Sequence, residues 1–160
     1  MQYSSIKKYN VNRQTITELG KFTLLWNIFE KEYFDKKCKA CKVKNYKYPI
    51  SKNLEKKCNE FINVLHSYLG TCKNTINREI IKETLFDNSD EYHVEIENVL
   101  KNDCFGQDLI IGTVFILLRI RNNLFHGIKQ CLTINNQLQL FNSANIVLNT
   151  LIEKRGVYGK

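Results

Sequence analysis

The chain has 160 residues, enough for one domain with a buried core, and neither a Gly/Ser-rich linker nor an internal repeat divides it. Lys and Arg exceed Asp and Glu by 24 − 16, a net charge of +8, which favours an anionic partner, nucleic acid ahead of membrane. The stretch MQYSSIKKYNVNRQT lacks the apolar run of a signal peptide, and the longest apolar run, Leu109 to Leu118, is broken by Thr113 and too short to span a bilayer. The expectation is an intracellular, cytoplasmic protein with no membrane partner, whose six cysteines are thiols or metal ligands rather than disulfides.

Helical periodicity dominates the chain. TITELGKFTLLWNIFEKEYF opens with Thr15 and Glu18 spaced as a capping box, and Leu19, Phe22, Trp26, Phe29 and Tyr33 then form one apolar face. KKCKACKVKNYKYP is expected to be a basic loop closed by Pro49, the only proline. The next helix places Leu54, Cys58, Phe61, Leu65 and Tyr68 on one face and stops at Gly70. NTINREIIKETLF predicts a short helix with Ile76, Ile80 and Ile81 inward. SDEYHVEIENVL predicts another, capped by Ser89 or Asp90, with Tyr92, Ile96 and Val99 inward. GQDLIIGTVFILLRIRNNLFHG is apolar on nearly all sides and long, which predicts a central helix with Gly127 as its C-cap. QCLTINNQLQL suits either a small hairpin around Asn135-Asn136 or a turn into a last helix carrying Leu138, Phe141, Asn145, Leu148 and Leu151. The sum is an all-α, single-domain bundle of five to seven helices over residues 1–160.

The central helix ends in RNNLFHG, residues 121–127. Histidine moves protons near neutral pH and arginine keeps its charge, so the pair suits phosphodiester cleavage. On an ideal helix, Arg121 and His126 are separated by about 140° and about 7.5 Å, so they do not share a face. Arg119, seven residues before His126, does. The plainer reading makes Arg121 a surface charge and His126 a helix-terminal residue favoured by the macrodipole. In the basic run, Lys42, Lys44, Tyr46 and Lys47 are candidate RNA contacts, lysines for phosphates and tyrosine for bases; the alternative is a solvated loop. Cys38 and Cys41 have a metal-like spacing that Cys58, His66 and Cys72 could complete. No second C-x2-C follows, so no metal and no cofactor are expected. His66 and His93 read as helix residues with local partners.

RNNLFHG after an apolar helix closely resembles the R-x4–6-H signature of the HEPN superfamily, with a polar residue directly after the arginine. FTLLWNIFEKEYF resembles the tryptophan-bearing first helix of many members. The resemblance implies a compact helical bundle and, in many members, a metal-independent endoribonuclease working as a homodimer with the two motifs at the interface. Members occur in toxin–antitoxin systems, phage defence and RNA processing, so an antitoxin or regulatory protein is a further possible partner. Carried over, Arg121 and His126 are the catalytic pair, Asn122 the polar neighbour, and Glu30 the supporting acidic residue. The chain departs from the pattern at Ile128, where toxins paired with a nucleotidyltransferase often carry a modified tyrosine. A non-catalytic HEPN-like module that binds RNA or protein is the alternative, and an unrelated helical protein with a zinc-bound basic loop is a third.

Overall fold

The computed structural model describes residues 10–85, 93–124 and 134–158, and the described part is all-α, without a strand. Seven α-helices run in order: α1 (Arg13–Phe34), α2 (Ala40–Asn45), α3 (Lys52–Leu69), α4 (Arg78–Leu85), α5 (His93–Lys101), α6 (Gly106–Leu124) and α7 (Leu138–Tyr158). A single 3-10 turn, Ile134–Gln137, leads into α7, so the hairpin alternative around Asn135 is not the one adopted. No helix among the described residues is long and apolar enough to cross a membrane.

The apolar spacings set the packing. Phe22, Trp26, Phe29 and Tyr33 of α1 are buried, as are Leu54, Cys58, Phe61 and Leu65 of α3, while Tyr68 at the end of the latter row faces outward. Gly70 stops α3 in the left-handed region at φ 65°, the backbone state that spares glycine a steric penalty. In α6, Leu109, Ile110 and every residue from Thr113 to Ile120 are buried, which makes it the central helix that its all-round apolarity predicts. Gly112 is required there by close approach. A Cβ at that position would meet Val99 Cγ1 at 2.3 Å and the Glu95 carbonyl oxygen at 2.9 Å, so α5 lies directly on the α6 backbone.

Two local expectations give way. The N-cap of α1 is Asn12, whose side chain accepts from the Thr15 N–H at 2.7 Å, rather than Thr15. Thr15 lies buried within the first turn, and Glu18 is bound by Lys21 and by Asn145 Nδ2 instead of closing a capping box. The basic run is not wholly a loop. It contains α2, anchored by a buried Val43.

Helices α1 and α7 lie side by side and run parallel. Their contacts advance together along both: Asn12 with Asn135, Glu18 with Asn145, Tyr33 with Leu151, and Glu32 with Arg155. Both C-termini therefore reach the same end of the bundle, next to α2 and the last turns of α1. Cations belong at that end, because exposed helix-terminal carbonyls carry partial negative charge. Lys42 Nζ donates to the Phe34 carbonyl at 3.0 Å, and Arg155 Nε donates to the Glu32 carbonyl at 3.3 Å.

Candidate active site at the end of the central helix

Arg121 is half-buried in the last turn of α6, where the apolar run gives way to polar residues. Its Nη1 donates to Asn122 Oδ1 at 3.0 Å, so the polar neighbour in the sequence motif also touches the arginine in space. Arg119, two residues earlier, is buried. His126 and the proposed cap Gly127 lie outside the described residues, as do Ser89, Asp90, Tyr92 and Ile128.

Glu30 comes from α1, one helical turn beyond the buried Trp26. The end of α1 is held by two residues in left-handed conformation, Asp35 at φ 51° and Lys36 at φ 68°. Their N–H groups close onto the Glu30 carbonyl. The chain then turns so that the Cys38 N–H donates to Glu30 Oε1 at 2.9 Å. Burial pushes the Cys38 thiol up to about 12; the Glu30 carboxylate adds to the rise, and Arg121 and Lys42 oppose it. The thiol thus lies within electrostatic reach of all three. Residues far apart in sequence, Glu30 on α1, Lys42 on α2 and Arg121 on α6, all act on one thiol. An arginine fork of this kind can hold an anion and set its orientation.

The other candidate residues occupy varied positions. Lys44 is paired with Glu95 of α5 at 2.7 Å and ties α2 to the layer above α6. Lys47 is exposed, and Tyr46 is half-buried in a ring cluster, 5.0 Å from Tyr33 and 4.9 Å from Tyr48 between centroids. Tyr48 itself is buried, and Gln107 of α6 brackets its backbone with two hydrogen bonds, at 3.0 and 2.6 Å.

Among the described residues, no group of three His, Cys, Asp or Glu side chains is placed to hold a metal ion. Cys58 is buried, and its thiol is pushed up to about 12 by that burial. His66 has both ring nitrogens engaged, with the Thr71 hydroxyl and the Leu100 carbonyl, each at 3.1 Å. Burial lowers its pKa, so it serves as a neutral bridge between the ends of α3 and α5. Thr71 is the local partner that the helical position of His66 suggested, whereas the Leu100 carbonyl comes from another helix.

Sequence reasoning missed Arg155. Its guanidinium lies 5.9 Å from the ring centroids of both Tyr33 and Tyr46. The local string EKRG offers no signal for this, since both rings are more than a hundred residues away in the chain.

The chain matches no family model, no curated protein and no solved structure.

Proposed function

We propose that this protein is a metal-independent endoribonuclease of HEPN type, acting as a toxin or defence effector, with Arg121 and His126 as its catalytic pair. The observation that supports the reading is that Glu30 of the Trp-bearing first helix holds the Cys38 loop, while Arg121, bound to Asn122, acts on the same Cys38 thiol from the last turn of α6. Glu30, Arg121 and Asn122 are positions the sequence resemblance selects, drawn from two distant parts of the chain. In this reading His126 takes the proton of a ribose 2′-hydroxyl. The 2′-oxygen attacks phosphorus, the bond to the 5′-oxygen breaks, and the 5′-oxygen takes a proton from water as it leaves, while the proton held by His126 returns to solvent. The products are a 2′,3′-cyclic phosphate and a 5′-hydroxyl. Arg121 steadies the charge that builds on the phosphorane, and Glu30 fixes the loop through the Cys38 N–H. Two copies pair with their motifs facing, which places two arginines on one scissile phosphate.

The test is cleavage of labelled single-stranded RNA in EDTA, wild type beside His126→Ala, with a substrate lacking the 2′-hydroxyl as control. The expected loss in the variant is about 10²–10⁴-fold, the usual contribution of a positioned acid–base group. The control substrate should remain intact, and light scattering should report a dimer. If folded His126→Ala cuts as fast as wild type, the catalytic assignment is wrong. Binding of RNA without any cutting favours the non-catalytic module instead.

A further inference from the structure

Two hollows open on either side of the contact between Tyr46 and Arg155. The first, of about 350 Å³, is lined by Tyr46, Lys47, Pro49, Ile50 and Arg155. The second, of about 440 Å³, shares Tyr46 and Arg155 and adds Lys31, Lys42 and Tyr33, together with the carboxylates of Glu32 and Asp35. Both volumes fall at the small end of the roughly 300–1,000 Å³ typical of ligand sites. The charges differ. Among the described residues, Lys47 and Arg155 are the charged ones that line the first hollow, and no described carboxylate joins them. The second carries both signs.

Arg155 is held in place before any ligand arrives. Its Nε donates to the Glu32 carbonyl, and its guanidinium carbon lies 5.9 Å from the centroids of two tyrosine rings. A guanidinium fixed in this way keeps its terminal N–H groups for an acceptor and loses little freedom on binding one. Tyr46 is braced by Tyr33, Phe34 and Tyr48, so its ring is a rigid ledge shared by the two hollows. Beyond the first hollow, Ile50 lies against Gly106, whose chain neighbour Phe105 is 74% exposed.

We propose that the Tyr46–Arg155 contact is a docking site for single-stranded RNA. One phosphodiester rests on Lys47 and Arg155, and the adjoining base lies across Tyr46 in the mixed-charge hollow. A phosphate suits the hollow whose described charged residues, Lys47 and Arg155, are both cationic. A base, with donors as well as acceptors on its edge, suits the hollow that offers Glu32 and Asp35 beside Lys31. Stacking on Tyr46 needs an open base face, which a single strand presents and a duplex hides. Lys42 lines the second hollow, donates to the Phe34 carbonyl and acts on the Cys38 thiol, so the strand runs on from this site along the Cys38 loop that Glu30 holds. The proposal rests on the ribonuclease reading for its choice of ligand and adds to it where the substrate is gripped.

The experiment measures fluorescence anisotropy of a labelled single-stranded RNA of about twelve nucleotides, a length within the range that single-strand sites cover. The chain carries His126→Ala to prevent cutting. Adding Lys31→Glu and Lys47→Glu should weaken binding at least about tenfold at physiological salt and flatten the salt dependence by about one to two contacts. Lys21→Glu with Lys56→Glu, two exposed lysines outside both hollows and the first about 15 Å along α1 from Lys31, is the charge-matched control and should bind within about threefold of the parent. Tyr46→Leu should weaken binding about tenfold with the salt slope kept, whereas Tyr46→Phe should bind as the parent does. Melting curves confirm that each variant is folded. Parent-like binding by the Lys31→Glu, Lys47→Glu double variant overturns the proposal. So does a double variant that loses a polyglutamate peptide but keeps RNA, because the surface then serves an acidic protein. If the otherwise unaltered chain cuts RNA and the double variant cuts it with unchanged KM, the ribonuclease reading stands and this docking site falls. If that chain neither binds nor cuts RNA, both fall.

Discussion

The parallel pair α1–α7 ends very differently at its two ends. At the N-terminal end neutral amides close the structure on itself: the Asn12 side chain caps α1, Asn135 bridges the Asn12 N–H and the Asn10 carbonyl, and Asn145 binds Glu18. At the C-terminal end aromatic rings, lysines and an arginine gather instead around Glu30 and Cys38. Aligned helix dipoles account for part of this. Two amino termini side by side need acceptors, which asparagine oxygens provide, and two carboxyl termini attract cations. The first end needs nothing further. The second gathers positive charge beyond what two carbonyls use, and that excess is what an anionic strand could meet.

The largest test of this contrast is at the charged end. Arg121→Ala should slow RNA cleavage by about 10²–10³-fold, and Arg121→Lys should recover little of it, because a point charge does not reproduce a planar fork. Steady-state kinetics with folding checked by circular dichroism decides this; full activity in Arg121→Lys would show that charge alone suffices there.

Gly112→Ala tests the mount of that end. The new methyl would press on Val99 and on the Glu95 carbonyl, so α5 must shift off α6. Overpacking of this kind is expected to remove about 1–3 kcal/mol of stability, read by urea unfolding. Val99→Ala in the same chain should return only part of it, since the backbone oxygen remains in the way.

Asn12→Ala tests the closed end. Loss of the side-chain cap on Thr15 should cost about 1 kcal/mol with cleavage per folded molecule unchanged. A drop in activity without loss of stability would mean that the two ends are coupled.

The finest test uses Cys38 as a reporter. With its thiol pushed up to about 12, it should resist alkylation near pH 8, while the exposed Cys72, lowered by the Thr75 hydroxyl, reacts first. Glu30→Gln should lower the Cys38 value and speed its alkylation; Arg121→Ala should do the opposite. Timed iodoacetamide labelling with peptide mapping gives both rates, and indifference of Cys38 to either change would remove Glu30 and Arg121 from its surroundings.

Much of this was legible in the sequence, for a physical reason. The faces of α1, α3 and α7 are long apolar rows at helical spacing, and burial follows such rows. The all-round apolar run ahead of RNNLFHG likewise marks the buried central helix. Shorter signals misled. Thr15 and Glu18 have the spacing of a capping box, yet Asn12 offers a shorter acceptor three residues earlier. In α2, one buried Val43 among lysines leaves almost no periodicity to detect. Pairings across the bundle were beyond local patterns: Lys44 with Glu95, Arg155 with Tyr33 and Tyr46, and the Glu30 carboxylate with the loop that follows its own helix. Each depends on a third element bringing the partners together.

The parallel run of α1 and α7 has a consequence during synthesis. The bond from the Tyr33 hydroxyl to the Leu151 carbonyl closes across 118 positions. A ribosome adding roughly 5–20 residues per second needs roughly 6–24 seconds to make that much chain. Throughout that interval α1 has emerged with Phe22, Trp26, Phe29 and Tyr33 awaiting a partner not yet made. Helices α3 to α6 can collapse on one another first through shorter loops, whose closure sacrifices less entropy. The nascent chain is therefore most open to chaperones, and to premature association with its neighbours on a polysome, along the very helix that carries Glu30.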